Sequence, residues 1–262
     1  MPLDELLFAE KQARFARLCR EMLLQKHTSG EAGIGTLAEK RLHVIIKRYL
    51  CENEDFHEVG VPNTRYVSDV RIENEIFEVQ TGAFYPMQKK ILHYLAHTDC
   101  TITVVHPIAV KKWVSWMDPK TGELTDRKRS PQRGRPEDLL AELYGLLPAL
   151  GNPRLRFRIL LIEAEDFRLL SGRKKNRKLG AKKYERIPLA LLDDLTLSRP
   201  CDFVFMIPEA LPDHFTVKQF SDLAKIRGRD AYSAVRALCA LGLFAPADPI
   251  GRSMGWKKLS IS

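Results

Sequence analysis

The stretch YVSDVRIENEIFEVQTG, residues 66–82, decides how this chain is read. Apolar and polar residues alternate on either side of Glu73-Asn74, the pattern of two strands joined by a two-residue turn. That turn sets Ile72 across from Glu75 and Asp69 across from Glu78. Alternation then puts Val67, Asp69, Arg71, Ile76, Glu78 and Gln80 on one side, with Tyr66, Ser68, Val70, Ile72, Phe77 and Val79 on the other, the core side. Directly opposed side chains have Cβ atoms about 4.5–5.5 Å apart, so like charges placed there repel. Two facing carboxylates must raise a pKa, splay into solvent or share a cation. Mg²⁺ (or Mn²⁺) fits, since Mg²⁺ takes oxygen ligands at about 2.0–2.1 Å, needs one or two protein carboxylates and completes its shell with water and phosphate. Such an ion serves phosphodiester hydrolysis by polarising the phosphoryl oxygen and activating water. Arg71 or a lysine bridging the pair is the purely structural alternative. A lysine ammonium already lodged between the acids leaves a basic nucleic-acid binder.

Outward from the hairpin, TLAEKRLHVIIKRYL (36–50) has helical spacing through Ala38, Leu42, Ile45, Ile46 and Tyr49, with Glu39 at the border of that apolar stripe. FHEVGV (56–61) reads as a strand, PMQKKILHYLAHT (86–98) as a helix opened by Pro86, and CTITVVHP (100–107) as a buried strand. The order is α-β-β-β-α-β. LDELLFAEKQARFARLCREMLLQK (3–26) forms an earlier amphipathic helix through Leu7, Phe8, Phe15, Leu18 and Met22. VKKWVSWMDPKTGELTDRKR (110–129) reads as a hairpin, PEDLLAELYGLL (136–147) as a helix and RLRFRILLIEAEDF (154–167) as a further strand of the sheet. Residues 1–168 thus make one α/β unit.

From 169 to 200 the expectation is a basic linker, followed by a helical domain over 201–262. FTVKQFSDLAKI (215–226) carries a capping box, Thr216 with Gln219, and AYSAVRALCALG (231–242) buries Ala231, Ala234, Val235 and Leu238 before Gly242 stops it. LFAP (243–246) and GWKKLSI (255–261) supply two strands of a wing, completing a winged helix-turn-helix. Arg229, Tyr232, Ser233 and Arg236 fall on the outer side of its second helix, as a recognition helix in a major groove requires. The same domain offers a surface for a second copy or a partner protein.

The hairpin and its flanks resemble the PD-(D/E)XK, or restriction-endonuclease-like, nuclease superfamily. The likeness covers residues 34–106 and rests on Glu39, Asp69 and Glu78-Val79-Gln80. It implies an αβββαβ mixed-sheet core, with the winged helix as a C-terminal addition. It also implies Asp69 and Glu78 as Mg²⁺ ligands for phosphodiester cleavage, with Glu39 touching the ion directly or through water. Ser68 stands where the superfamily's proline is found. Gln80 stands where its lysine is found, a substitution similar to the E-x-Q of nuclease-like competence proteins; there Gln80 orients a water. A lysine from the following helix takes over the charge in some relatives, which nominates Lys89 ahead of Lys90.

The chain has 262 residues, 45% of them hydrophobic, and a formal net charge of +9. A basic balance favours polyanions, DNA first with RNA left open. Arg173, Lys174, Lys175, Arg177, Lys178, Lys182, Lys183 and Arg186 form one basic block, and Arg127, Lys128, Arg129, Arg133 and Arg135 a second, both suited to phosphate contacts. Five scattered cysteines read as reduced core thiols, and without a secretory leader or membrane-spanning run the expected location is cytoplasmic. His93 and His97 have the i, i+4 spacing of a metal pair but lack the glutamate of H-E-x-x-H, and IEAED (162–166) reads as a solvated acidic turn. No phosphate loop or G-x-S-x-G elbow is present. The expectation is a DNA endonuclease or nuclease subunit; the alternative is a non-catalytic DNA-binding regulator or adaptor on the same fold.

Overall fold

A computed structural model describes residues 3–28, 38–118, 121, 123–124, 126–173 and 179–260. Its strands form a mixed sheet of seven, in the order β1 (His57–Gly60), β2 (Val67–Ile72), β3 (Glu75–Val79), β4 (Thr101–Met117), β6 (Leu155–Arg173), β7 (Leu179–Leu197), with β5 (Lys128–Arg129) also paired to β4. By contacts the chain divides into two interleaved units.

The first unit comprises Met1–Asp55, Pro107–Gly134 and Leu160–Asp194. It contains α1 (Leu3–Thr28) and α2 (Ala38–Leu50). The stripe expected of α2 is buried at Leu42, Ile45, Ile46 and Tyr49, while α1 buries Phe15 and Leu18 and leaves Leu7 exposed. Phe15 and Tyr49 meet edge to face with ring centres 5.3 Å apart. Tyr49 donates to Asp194 Oδ2 at 2.8 Å, satisfying a hydroxyl whose ring is buried.

The described residues of 169–200 are not a linker. They carry the end of β6 and all of β7, whose Ile187, Leu191 and Leu197 are buried. The dense lysines and arginines mask an apolar alternation that resumes at YERIPLALLDDLTL (184–197). IEAED is likewise no turn but the middle of β6. Its acids have the protein's own partners. Lys111 and Trp113 donate to Glu163 at 2.9 and 2.6 Å, Ser115 donates to Glu165 at 2.6 Å, and Arg186 binds Asp166 through two nitrogens at 2.6 and 3.0 Å.

The second unit comprises Phe56–His106, Arg135–Ile159 and Leu195–Ser262. Its hairpin has the expected register, with Val70 across from Phe77 and Ile72 across from Glu75. Glu73 bears the cost of the tight turn at φ 50°, in the left-handed region. β3 also pairs parallel with β4, from Glu75 with Thr101 to Val79 with Val105. A strand held between two neighbours and covered on both faces reads as continuously buried. That is why Ile76 and Glu78, expected on an open face, are buried. The covering helix is α3 (Gln88–His97), which follows a 3-10 turn at Tyr85–Met87. Arg154 donates to the carbonyls of Leu95, Thr98 and Cys100, neutralising the helix's negative end.

The remainder of this unit contains α4 (Leu139–Leu143), then β8 (His214–Thr216), α5 (Val217–Ala224), α6 (Arg229–Ala240), β9 (Phe244–Ile250) and β10 (Ser253–Lys258), with a small sheet in the order β8-β10-β9. The α5 capping box is formed: Gln219 N–H donates to Thr216 Oγ1, and Thr216 N–H donates to Gln219 Oε1 at 2.8 Å. Gly242, at φ 74°, ends α6 with its N–H on the Cys239 carbonyl and the Leu243 N–H on that of Leu238, a Schellman closure. Gly255 permits β9 and β10 to pair, because a Cβ there would lie 1.9 Å from the Asp248 carbonyl oxygen.

Candidate active site

The paired register of the hairpin ends at Val70–Phe77, one position short of Asp69 and Glu78, and Asp69 lies close enough for its charge to push the Glu78 carboxyl up. Asp69 Oδ2 accepts the Val79 N–H at 2.7 Å, tying the carboxylate to the strand that bears Glu78. Glu78 is 4% exposed. Lys90 Nζ donates to its Oε2 at 2.6 Å and the Tyr94 hydroxyl to its Oε1 at 3.1 Å. One helical turn separates Lys90 from Tyr94, so both reach the same carboxylate from one face of α3.

The charge balance at Glu78 is informative. Burial pushes its carboxyl up, Lys90 pulls it down, Asp69 pushes it up again, and the outcome is about 7. The ammonium at 2.6 Å therefore does not offset the loss of water and the neighbouring acid. Tyr94 is itself pushed up by burial and by Glu78, which keeps its hydroxyl a donor.

Gln80 follows directly on β3. Its side-chain amide donates to the Ala83 carbonyl at 2.9 Å, and its own carbonyl accepts from His106 Nδ1 at 2.5 Å. Lys89 is exposed, whereas Lys90 holds Glu78. Glu39 lies in α2, with its side chain outside the described residues. Among the described residues no three His, Cys, Asp or Glu side chains gather as a metal cage. A carboxylate pair is nevertheless the protein contribution that Mg²⁺ requires. Tyr94 and His106 escaped the sequence reading. Tyr94 was legible as the i+4 partner of Lys90, but nothing local marks His106, which meets Gln80 through β3–β4 pairing.

The nucleic-acid candidates divide. Lys174, Lys175, Arg177 and Lys178 lie outside the described residues, as do the side chains of Arg173, Lys182 and Lys183. Arg229, Tyr232 and Arg236 form an exposed stripe on α6, with Arg236 donating to the Tyr232 hydroxyl at 3.2 Å. Ser233, expected beside them, is buried, for α6 packs against α4 as well as α5. In the second basic block Arg127 lies 4.3 Å over the Trp113 ring and pairs with Glu165 at 3.2 Å. Arg135 donates to the Ala224 carbonyl, while Arg129 and Arg133 remain exposed. The cysteines are free, but Cys201 is exposed and only Cys19 and Cys100 are core thiols. Among the described residues no helix is long and apolar enough to cross a membrane.

Fold and site define an α/β protein with a mixed seven-stranded sheet whose hairpin carries a half-buried Asp69 and a buried Glu78. The chain belongs to the family described as a domain of unknown function (DUF8091), whose model matches residues 40–198. No curated protein and no solved structure matches it.

Proposed function

We propose that the chain is a metal-dependent nuclease of the restriction-endonuclease-like type, with its centre at Asp69 and Glu78. What carries this reading is that Glu78 keeps a pKa of about 7 with Lys90 already bound, so the pocket still favours more positive charge. Asp69 and Glu78 would hold Mg²⁺ or Mn²⁺, and the ion, when bound, supplies Lewis acidity toward a phosphodiester. Lys90 then turns from Glu78 to the phosphate, as the missing motif lysine would. Tyr94 keeps Glu78 oriented, and Gln80, fixed by His106 and Ala83, presents an amide at the strand end to orient water. Arg229, Tyr232 and Arg236 position the chain on DNA.

Plasmid, linear duplex and single-stranded DNA incubated with Mg²⁺, Mn²⁺ or EDTA test this directly. Wild type cuts with metal, while Asp69→Ala and Glu78→Ala do not; binding without cutting under every condition refutes it. One observation favours a non-catalytic nucleic-acid binder. The Lys90 ammonium sits on Glu78 at 2.6 Å, supplying from within the cation that an empty carboxylate pair lacks.

A further inference from the structure

Two contacts away from Glu78, through Tyr94 and Tyr66, lies a cluster with the opposite electrostatic problem. An open hollow of about 590 Å³ is lined by Asn63, Thr64, Arg65 and His93, of which Asn63, Arg65 and His93 carry side-chain N–H groups that can donate to an anion. The His93 and His97 rings are 4.1 Å apart on α3, and the Arg65 guanidinium lies 5.5 Å over the Tyr66 ring. Among the described residues no carboxylate pairs with Arg65, His93 or His97. Partial burial and then the charges of His97 and Arg65 hold the His93 imidazole below its ordinary value, so these groups crowd one another without an anion to relieve them.

The loop bearing Arg65 is held by its own bonds. Thr64 N–H and Oγ1 donate to the Val61 carbonyl at 3.1 and 2.9 Å, and Thr64 Oγ1 accepts the Tyr66 N–H at 3.1 Å. The Tyr66 ring then meets His93 and Tyr94 edge-on, at 5.4 and 5.9 Å. Tyr94, next to His93 on α3, in turn donates to Glu78 Oε1 at 3.1 Å.

We propose that this hollow is a phosphate subsite, in which Arg65 and His93 hold a non-scissile phosphate of the nucleic-acid strand whose nearby linkage reaches Asp69 and Glu78. The assignment rests on the nuclease reading for its place along the substrate, but the subsite binds strand phosphates whether or not the acid pair cuts. Arg65 is the stronger member, since a guanidinium gives two parallel donors to phosphate and stays charged at every working pH.

The test measures binding of short fluorescein-labelled DNA, single-stranded and duplex, to the full chain in EDTA between roughly 50 and 200 mM salt. Arg65→Gln weakens binding about tenfold, the worth of one charge-assisted hydrogen bond. It also reduces the slope of log affinity against log salt by about 0.7 for single strands or about 0.9 for duplex, the signature of one lost phosphate contact. Arg65→Lys restores the slope, and His93→Gln weakens binding less. Unchanged affinity and slope in both Arg65→Gln and His93→Gln, with melting temperatures kept, overturn the subsite. A wild type without salt-dependent binding, as expected of a protein-docking surface, overturns it too. If wild type fails to cut in Mg²⁺ and Mn²⁺ while Arg65→Gln still loses its slope, the nuclease reading falls and the subsite stands.

Discussion

Glu78 on β3 and Glu163 on β6 are strand glutamates with nearly the same partners, a lysine and an aromatic donor, yet their carboxyls move in opposite directions. Glu78 has Lys90 and Tyr94, and burial with Asp69 as neighbour lifts it to about 7. Glu163 has Lys111 and Trp113; burial pushes it up, but these donors and Arg127 outweigh burial and hold it below the usual carboxylate range. The difference teaches that an ion pair reveals little about function until what remains uncompensated is known. Glu163 is finished by its partners, whereas Glu78 still asks for charge.

The largest expected separation is in catalysis. Glu78→Gln lowers metal-dependent cleavage at least about a hundredfold, roughly 3 kcal/mol of barrier, while Glu163→Gln leaves cleavage unchanged; equal losses in a plasmid-nicking assay would erase the distinction. Next comes pH. Glu78 binds its proton more tightly folded than unfolded, so its contribution to stability is full below about 4.5 and lost as pH rises through about 7. The loss is on the order of 3 kcal/mol. Urea melts of wild type against Glu78→Gln should show it. Glu163 behaves inversely, its contribution being present above the ordinary carboxylate range and lost as pH falls through its lowered value.

A finer test removes the lysines. Lys90→Met costs about 1.5–3 kcal/mol by stripping a charged hydrogen bond from a buried carboxylate, and Glu78 answers by taking a proton at still higher pH. Lys111→Met costs less than about 1 kcal/mol, because Lys111 is 39% exposed and Arg127 and Trp113 remain. Smallest is the loss of the aromatic donors. Tyr94→Phe and Trp113→Phe each cost about 1 kcal/mol, read from thermal melts, and only Tyr94→Phe also disturbs cleavage.

Local pattern carried the hairpin, its register, the α2 stripe, the α5 cap and the Gly242 stop. Each depends on residues within a few positions of one another, where alternation, helical spacing and turn chemistry act directly. Misreadings arose where composition and pattern disagreed. The basic block drew residues 169–200 toward a linker although β7 alternates beneath it, and the acids of β6 looked solvated because Lys111, Ser115, Arg127 and Arg186 are remote in sequence. Ser233 looked outward because helical spacing cannot show that α4 covers a second side of α6.

By itself the sequence determined the hairpin register from Ile72–Glu75 to Val70–Phe77, since a two-residue turn and a period of two leave no other. Only the tertiary structure decided that Glu78 is buried, that Lys90 rather than Lys89 meets it, and that Arg65 and His93 line one hollow with His97 against His93. Those outcomes depend on parallel pairing with β4 and on how α3 lies across the sheet. Burial, which together with Asp69 moves the Glu78 carboxyl by more than Lys90 and Tyr94 restore, is set by chain segments far apart in sequence.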